Sequence, residues 1–362
     1  MHLQQIKLSN YKNYESLETL FSERINCIVG ANGTGKTNLL DAIHYLSMSK
    51  SAFTTIETQN IRHQQDFFFI AGKFELENKK HKLMASLQKG QKKSLKVNNK
   101  AYDKISEHIG RFPVVMIAPD DQELVKEGSE TRRKFFDGLL SQIDGAYLQH
   151  LITYYKVLKN RNSLLKQFAE KEYFDRDLLE PYSQGILHYG QLIYERRKAF
   201  CQEYLPLFTK HYSQLTSGKE EVNLKYISEL QTDNFELEFS TNLSRDRILQ
   251  RTSMGVHRDD FLFEIGGYPL KKYGSQGQQK SFVVALKLAM FEIIQQKKEF
   301  KPLLLLDDIF DKLDEQRINR LMEMVAGNTF GQIFITDARE ERTRKILKKN
   351  KLEAKIINVQ KD

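Results

Sequence analysis

Residues 30–37 read Gly-Ala-Asn-Gly-Thr-Gly-Lys-Thr, and this stretch constrains the fold more than any other. It is a G-x-x-x-x-G-K-[ST] phosphate-binding loop. Glycines at Gly30, Gly33 and Gly35 keep side chains out of the way, so backbone N–H groups can wrap a polyphosphate. Contacts are expected along Gly30, Ala31, Asn32, Gly33, Thr34, Gly35, Lys36, Thr37 and Asn38. Lys36 adds a point charge for the β- and γ-phosphates, and the Thr37 hydroxyl can hold Mg²⁺. The flanks agree. Residues 25–29 read as a short buried strand. Residues 38–47 read as a helix with Leu39, Ala42, Ile43 and Leu46 on one face, its N-terminus aimed at the phosphates. A chance glycine-rich turn would lack that strand–loop–helix context.

At 362 residues the chain has room for two or more domains. Two cysteines in a chain this long argue against a disulfide framework and for a reducing compartment, so a cytoplasmic location is expected. Cys27, inside the strand before the loop, reads as a small buried hydrophobe. No apolar h-region follows Met1, and no run is long enough to span a membrane, so no membrane partner is expected. The formal charge of +9 permits a polyanionic partner without demanding one.

Residues 1–29 read as a strand, a turn at 10–13 and two further β segments. The basic-aromatic stretch at 10–14 is either an exposed surface near a nucleotide base or an ordinary turn. From Phe67 the pattern alternates with period two, through Phe74, Leu76, Leu83, Ala85, Leu87, Leu95 and Val97, as in antiparallel hairpins. Asn98-Asn99 is a turn signal. Residues 79–104 hold nine lysines and one acid, Asp103. Such a run is either a solvated edge or a surface that meets phosphates. Lys79, Lys80, Lys82, Lys89, Lys92 and Lys93 are the candidate DNA contacts. Residues 114–118 form a buried strand, and from about 121 to 251 the chain reads as mostly helical. Long helices are expected at 146–170 and about 182–208, with a small β piece at 222–240. No heptad repeat is sustained, so no long coiled coil is expected.

Residues 254–260 are polar and precede a strand at 261–265. Tyr273-Gly274-Ser275-Gln276-Gly277-Gln278-Gln279-Lys280 opens an amphipathic helix. Four leucines at 303–306 run into Asp307-Asp308, as in a parallel strand covered on both faces. A loop at 309–314 leads to a helix at 315–326. A further strand at 332–335 ends at Thr336-Asp337, a basic helix starts at Arg339, and 354–359 is a final strand.

An apolar strand ending in an acid, far downstream of a phosphate loop, is the second half of a P-loop NTPase. Asp307 would share Mg²⁺ with Thr37. Asp308 would orient or deprotonate the attacking water, or serve as a supporting partner or a helix cap. Ser275 and Gln278 fit a capping box, which leaves Gly277 unexplained. A helix N-terminus carrying serine and glycine is also a phosphate site. In the ATP-binding-cassette class it reaches the γ-phosphate held by a second copy of the chain, so Ser275, Gln276, Gly277 and Gln278 would complete the partner's site in a two-fold sandwich.

With these three motifs in order and no coiled coil between, the chain resembles the RecF family, bacterial recombinational-repair ATPases related to the SMC heads. Pro119-Asp120-Asp121-Gln122-Glu123-Leu124-Val125, the Arg132–Asp137 stretch and Gly255-Val256-His257-Arg258-Asp259-Asp260 are similar to segments of that family. The paired acids Asp307-Asp308 resemble its paired aspartates. Asp311-Lys312-Leu313-Asp314 departs from its usual Ser-Glu-Leu-Asp. The departure bears on Asp311 and Asp314, the residues of the loop that the family places across the dimer. Thr336-Asp337 stands where a transporter carries a switch histidine.

The resemblance implies an α/β fold: an ABC-type P-loop NTPase head, with a mixed sheet core and an antiparallel β lobe, interrupted by a mostly helical insert. The corresponding domains are 1–118, 119–254 and 255–362. It implies ATP and Mg²⁺ as cofactors, weak ATP hydrolysis and ATP-driven homodimerisation. It further implies binding to double-stranded and gapped or single-stranded DNA, with RecO and RecR as partners in loading recombinase during repair and the SOS response. A transporter nucleotide-binding component and a non-hydrolysing ATP-binding scaffold are the alternatives.

Overall fold

The apolar runs become central strands. In the computed structural model, which describes residues 1–216, 218, 220–311 and 314–360, the strands in chain order are β1 (His2–Tyr11), β2 (Tyr14–Leu20), β3 (Ile25–Val29), β4 (Phe67–Leu76), β5 (Lys79–Gln88), β6 (Ser94–Val97), β7 (Lys100–Ala101), β8 (Val114–Ile117), β9 (Val222–Ile227), β10 (Asp260–Ile265), β11 (Tyr268–Pro269), β12 (Leu303–Leu306), β13 (Ile333–Asp337) and β14 (Lys355–Asn358). The chain divides into two compact units. One comprises Met1–Gln122, Lys210–Lys219 and Gln276–Asp362, the other Glu123–Thr209 and Glu220–Ser275.

The first unit holds two sheets. The parallel sheet has the order β14-β3-β13-β12-β8. Its inner strands β3, β12 and β13 are buried along their whole length, as their largely apolar composition requires. The antiparallel sheet has the order β2-β1-β4-β5-β6-β7. Two of its hairpins turn at Glu77-Asn78 and Asn98-Asn99, all four residues at positive φ, as a primed two-residue turn demands. The helix Lys36–Met48 contributes Leu39, Leu40, Ile43 and Leu46 to a core shared with Phe68, Ile70 and Leu83 of one sheet and Leu305 and Phe334 of the other. The Gln332 amide ties the sheets together. It donates to Leu3 O at 2.8 Å and Ser22 O at 2.7 Å, and its oxygen accepts from Leu3 N at 2.6 Å.

That helix is also pinned by charge. Asp41 is fully buried. It accepts from Tyr11 Oη and Ser51 Oγ, each at 2.7 Å, and from the Ala52 N–H at 2.7 Å, and it pairs with Lys12 at 2.6 Å. Burial opposes ionisation of Asp41, but the Lys12 ammonium and the Tyr11 hydroxyl outweigh it and hold the carboxyl below its ordinary value. The same residues decide the open question at 10–14. Tyr11 and Tyr14 are core side chains, so this stretch is a structural turn rather than an exposed aromatic surface.

In the second unit, the helices Ser129–Ile143, Gly145–Glu170 and most of Arg176–Thr216 pack around β9 to β11. Arg197, fully buried, reaches Asp137 at 2.8 Å and Asp259 at 2.7 Å. Arg132 meets Asp260 through two bonds of 2.8 and 2.9 Å, and Arg133 donates to Asp259 O at 2.6 Å. Two segments that carry the family resemblance, Arg132–Asp137 and Gly255–Asp260, therefore meet in one ionic cluster inside this unit.

Three expectations are corrected. The boundary at 254/255 moves to 275, because β10 pairs with β9 and keeps 255–275 with the insert, while 210–219 returns to the first unit. The long helix spans Arg176–Thr216 rather than about 182–208, and so runs through Pro181 as well as Pro206. A buried stripe at Leu179, Ile186, Ile193, Phe200 and Phe208 outweighs a proline penalty of about 3 kcal/mol each. The β piece at 222–240 stops at Ile227, and 235–241 is helical, with Phe235 and Phe239 buried one turn apart.

Asp41 titrates below its unfolded-state value of 3.8, so its stabilisation is complete above the ordinary carboxylate range and is lost as pH falls through the folded value. Asp41→Asn is expected to cost about 3 kcal/mol at pH near 7, and the difference from the parent should shrink at pH near 2. Urea unfolding at the two pH values measures both.

Candidate phosphate-binding site

The loop 30–35 turns inward through its carbonyls. Lys36 Nζ donates to Gly30 O at 2.9 Å and Ala31 O at 3.0 Å. Asn13 Nδ2 donates to Thr34 O, and Tyr14 Oη to Gly35 O, each at 3.0 Å. Asn38 Nδ2 donates to Asn13 Oδ1 at 2.6 Å. Among the described residues, no backbone hydrogen bond uses the N–H of Gly33 or Gly35. Those donors, with the first-turn N–H groups of the helix, remain available to an anion. Gly35 caps that helix at φ 108°, in the left-handed region. An added Cβ would lie 2.4 Å from Asn13 Nδ2. At Gly30 it would lie 2.3 Å from the Val359 carbonyl. The glycines thus serve close approach as well as backbone freedom.

The parallel order puts β12 beside β13 and β13 beside β3, and brings Asp307 to Thr37 across 270 residues. Thr37 Oγ1 lies 2.9 and 3.0 Å from the two Asp307 carboxylate oxygens. Thr336 Oγ1, fully buried, donates to Asp307 Oδ1 at 2.7 Å and accepts from the Asp308 N–H at 2.9 Å. Burial pushes the Asp307 carboxyl up from its ordinary value and Asp308 adds to this, against the hydrogen bonds from Thr336 and Thr37. A hydroxyl and a desolvated carboxylate in contact make an oxygen donor set suited to a hard divalent cation.

Asp308 sits at φ 45°, in the left-handed region that aspartate tolerates better than longer acids. Beside Asp307, Pro119, Gln122, Lys280 and Ile309 wall a narrow crevice. In the sequence, Gln122 stands out only as part of a family segment. Its place on this wall follows from the β8–β12 pairing, which no local sequence signal reveals.

Thr336 and Asp337 now have roles. Thr336 bridges the two acids. Asp337, buried, accepts from Thr343 Oγ1 at 2.7 Å and pairs with Arg342, which also grips Asp311. Asp311 is thereby tied to the end of β13. Asp314 caps the helix Glu315–Ala326 by accepting from Arg317 N at 2.9 Å. Lys312 and Leu313, between them, lie outside the described residues. Ser275 directly precedes the helix Gln276–Lys298. A Cβ at Gly277 would meet the Arg317 guanidinium at 3.2 Å, which gives this glycine a packing reason of its own.

Of the six candidate lysines, Lys79, Lys80, Lys82, Lys89 and Lys92 are exposed, and Lys89 pairs with Asp66 at 3.2 Å. Lys93 is different. Its ammonium is committed to Ser49 O and Glu57, over the Tyr45 ring, so it anchors structure and is withdrawn from the candidate contacts. Among the described residues no helix is long and apolar enough to cross a membrane.

The chain is similar to known proteins along nearly its whole length. Residues 2–359 match the family described as RecF/RecN/SMC N terminal domain. The chain is 48% identical over 359 residues to the DNA replication and repair protein RecF of Flavobacterium johnsoniae, covering 99% of this chain and 100% of that one. It is 43% identical to the protein of the same name from Phocaeicola vulgatus, covering 99% and 97%. A solved structure of the recombination mediator protein RecF-ATPrS in the RecFOR pathway superposes with a TM-score of 0.88 at 29% identity, covering 99% and 96%. An Smc head domain from Pyrococcus furiosus shares the fold, with a TM-score of 0.56 at 17% identity over 100% and 94%. The fold is the ABC-type head of the SMC and RecF class.

The glycine geometry separates two substitutions. Gly33 has open space but φ 80°, so Gly33→Ala is expected to cost about 1–2 kcal/mol of backbone strain. Gly30→Ala must displace the Val359 carbonyl, with an expected cost of roughly 3 kcal/mol. Denaturant unfolding of the two variants checks the order.

Proposed function

The chain belongs to the RecF family, and from that premise we propose that it is an ATP-dependent DNA-binding protein of recombinational repair, whose nucleotide state decides whether two copies hold together on DNA. The observation that carries this reading is the contact of Thr37 with Asp307, joining a phosphate loop to a strand-end acid. Relatives described with ATP and with an ATP analogue support ATP as the nucleotide.

The residues present fit a magnesium nucleotide. Thr37 and Asp307 would hold Mg²⁺, which when bound supplies charge neutralisation between the β- and γ-phosphates. The chain's own groups do the rest. Loop N–H groups and Lys36 bind and orient the phosphates. Asp308, its N–H fixed by Thr336, takes the proton of the attacking water. Thr336 keeps the two acids in register. Ser275 to Gln278 complete the site of a second copy, so ATP closes a two-fold dimer and slow hydrolysis releases it.

The DNA reading rests on the lysines of the antiparallel sheet. Lys73 and Lys82 stand directly opposite across β4 and β5 and are both exposed. Like charges so placed oppose folding, and a phosphate backbone would relieve them. We place the protein in the cytoplasm, working with the RecO and RecR mediators to load recombinase onto gapped DNA in repair, replication restart and the SOS response.

ATP-dependent dimerisation by light scattering, with DNA binding on the same sample, is the test. Ser275→Arg should bind ATP yet stay monomeric. Asp308→Asn should lower turnover at least ~100-fold and accumulate the ATP-bound dimer. A Ser275→Arg protein that dimerises like its parent would remove the shared site, and unchanged turnover in Asp308→Asn would remove the assigned base.

A further inference from the structure

The second unit contains a cavity of about 410 Å³, remote in sequence from the phosphate loop. Its volume suits a small polar ligand group. Arg245, Arg251 and Arg258 line it. All three are exposed, and their side chains make no hydrogen bond or ion pair among the described residues. The contrast within the same unit is sharp. Arg132, Arg161, Arg196 and Arg197 are each paired with an aspartate.

The carboxylates nearby do not neutralise the three. Asp246, behind the lining residues Asn242 and Ser253, is fully buried and is paired with Arg161 at 2.7 Å. Its other oxygen accepts from Ser253 N and Oγ, at 2.9 and 2.7 Å, and from Asn242 Nδ2 at 3.1 Å. Glu229, which lines the cavity, is engaged by the Gly255 N–H at 2.9 Å. His257 adds no charge. Its Nε2 faces the Thr252 carbonyl at 3.2 Å and therefore carries the proton, and its Nδ1 accepts from Tyr154 Oη at 2.7 Å. Three guanidiniums thus face a polar hollow with one carboxylate among the lining residues.

The wall is built rather than incidental. Arg161, 1% exposed, also donates to Thr252 Oγ1 at 2.7 Å. Asn162 Oδ1 accepts from Thr252 N and Oγ1, at 2.7 and 2.8 Å, which leaves its amide N–H groups uncommitted among the described residues. Gly255 sits at φ 125°, where a Cβ would lie 2.7 Å from Tyr154 Oη. The loop carrying Arg251 and Arg258 is therefore held by buried bonds before any ligand arrives. Guanidinium forks match phosphate oxygens two by two, and Leu249 and Met254 give the hollow an apolar side for a sugar or base.

We propose that this arginine-lined cavity binds phosphodiester groups, so that the second unit grips a nucleic-acid strand independently of the lysine-rich sheet. The test uses the full chain, with Arg245→Ala, Arg251→Ala, Arg258→Ala and the triple variant. Anisotropy titrations with labelled single-stranded and duplex oligonucleotides are run from roughly 50 to 200 mM salt. The triple variant should lower the log–log salt slope by about 2 and weaken binding tenfold or more at ~100 mM salt. Arg245→Glu, on the exposed helix Leu243–Leu249, should weaken binding more than Arg245→Ala, and matched thermal unfolding verifies folding. A triple variant with the parent's slope and affinity overturns the inference alone. A parent that binds no oligonucleotide at low salt overturns it together with the proposed function. Calorimetry with inorganic phosphate separates the sources. Phosphate binding lost in the triple variant while oligonucleotide affinity is unchanged makes this a free-anion site and overturns the nucleic-acid assignment.

Discussion

The parallel pairing of β3, β13 and β12 is the constraint on which the first unit depends. It places the ends of three strands side by side, and each delivers one part of the site. The end of β3 supplies the phosphate loop and Thr37, that of β12 supplies Asp307 and Asp308, and that of β13 supplies Thr336 and Asp337. Buried apolar side chains fix the register, and a slip of one residue would move every one of these groups to the wrong face. The hydroxyl of Thr336 then sets the two acids against each other with two short hydrogen bonds.

Much of this was legible in the sequence for a physical reason. Glycine spacing, a four-leucine run and an acid pair are local signals, and each dictates a local structure. The strand–loop–helix unit at 25–48 and the buried strand at 303–306 follow directly from them. What was not legible depends on distant partners. Lys93 belongs to a dense lysine run, yet it is turned inward by Glu57. Tyr11 and Tyr14 sit in a polar stretch, yet the Asp41 network and the sheet core enclose them. Pro181 signals a helix start, but a buried apolar stripe from Leu179 to Phe208 carries the helix through it. The small strand after 222 gives way to helix because Phe235 and Phe239 bury on a helical period.

The two units use charge differently. In the first, Lys12, Lys93 and Arg342 are tethers: Lys12 ties its turn to the helix Lys36–Met48, Lys93 ties its loop to Glu57, and Arg342 ties Asp311 to the end of β13. The Arg342 tether matters most, since one guanidinium joins Asp311 to Asp337. The end of β13 and the 309–311 loop are thus joined through one side chain. In the second unit, Arg161 and Arg197 are core residues that organise their surroundings through aspartates. Their burial is tolerable because each is opposed by a carboxylate and further oxygen acceptors.

The order of strands in the parallel sheet sets a problem during synthesis. β3 leaves the ribosome early, but its neighbours β13 and β14 are encoded more than 300 residues later. At roughly 5–20 residues per second, this bare five-residue apolar segment waits on the order of 15 to 60 seconds for its partners. The antiparallel sheet and the insert close on contacts made within their own stretches and can consolidate first. Chaperone capture of the nascent chain should consequently concentrate on the phosphate-loop region, and persist until the last strands emerge.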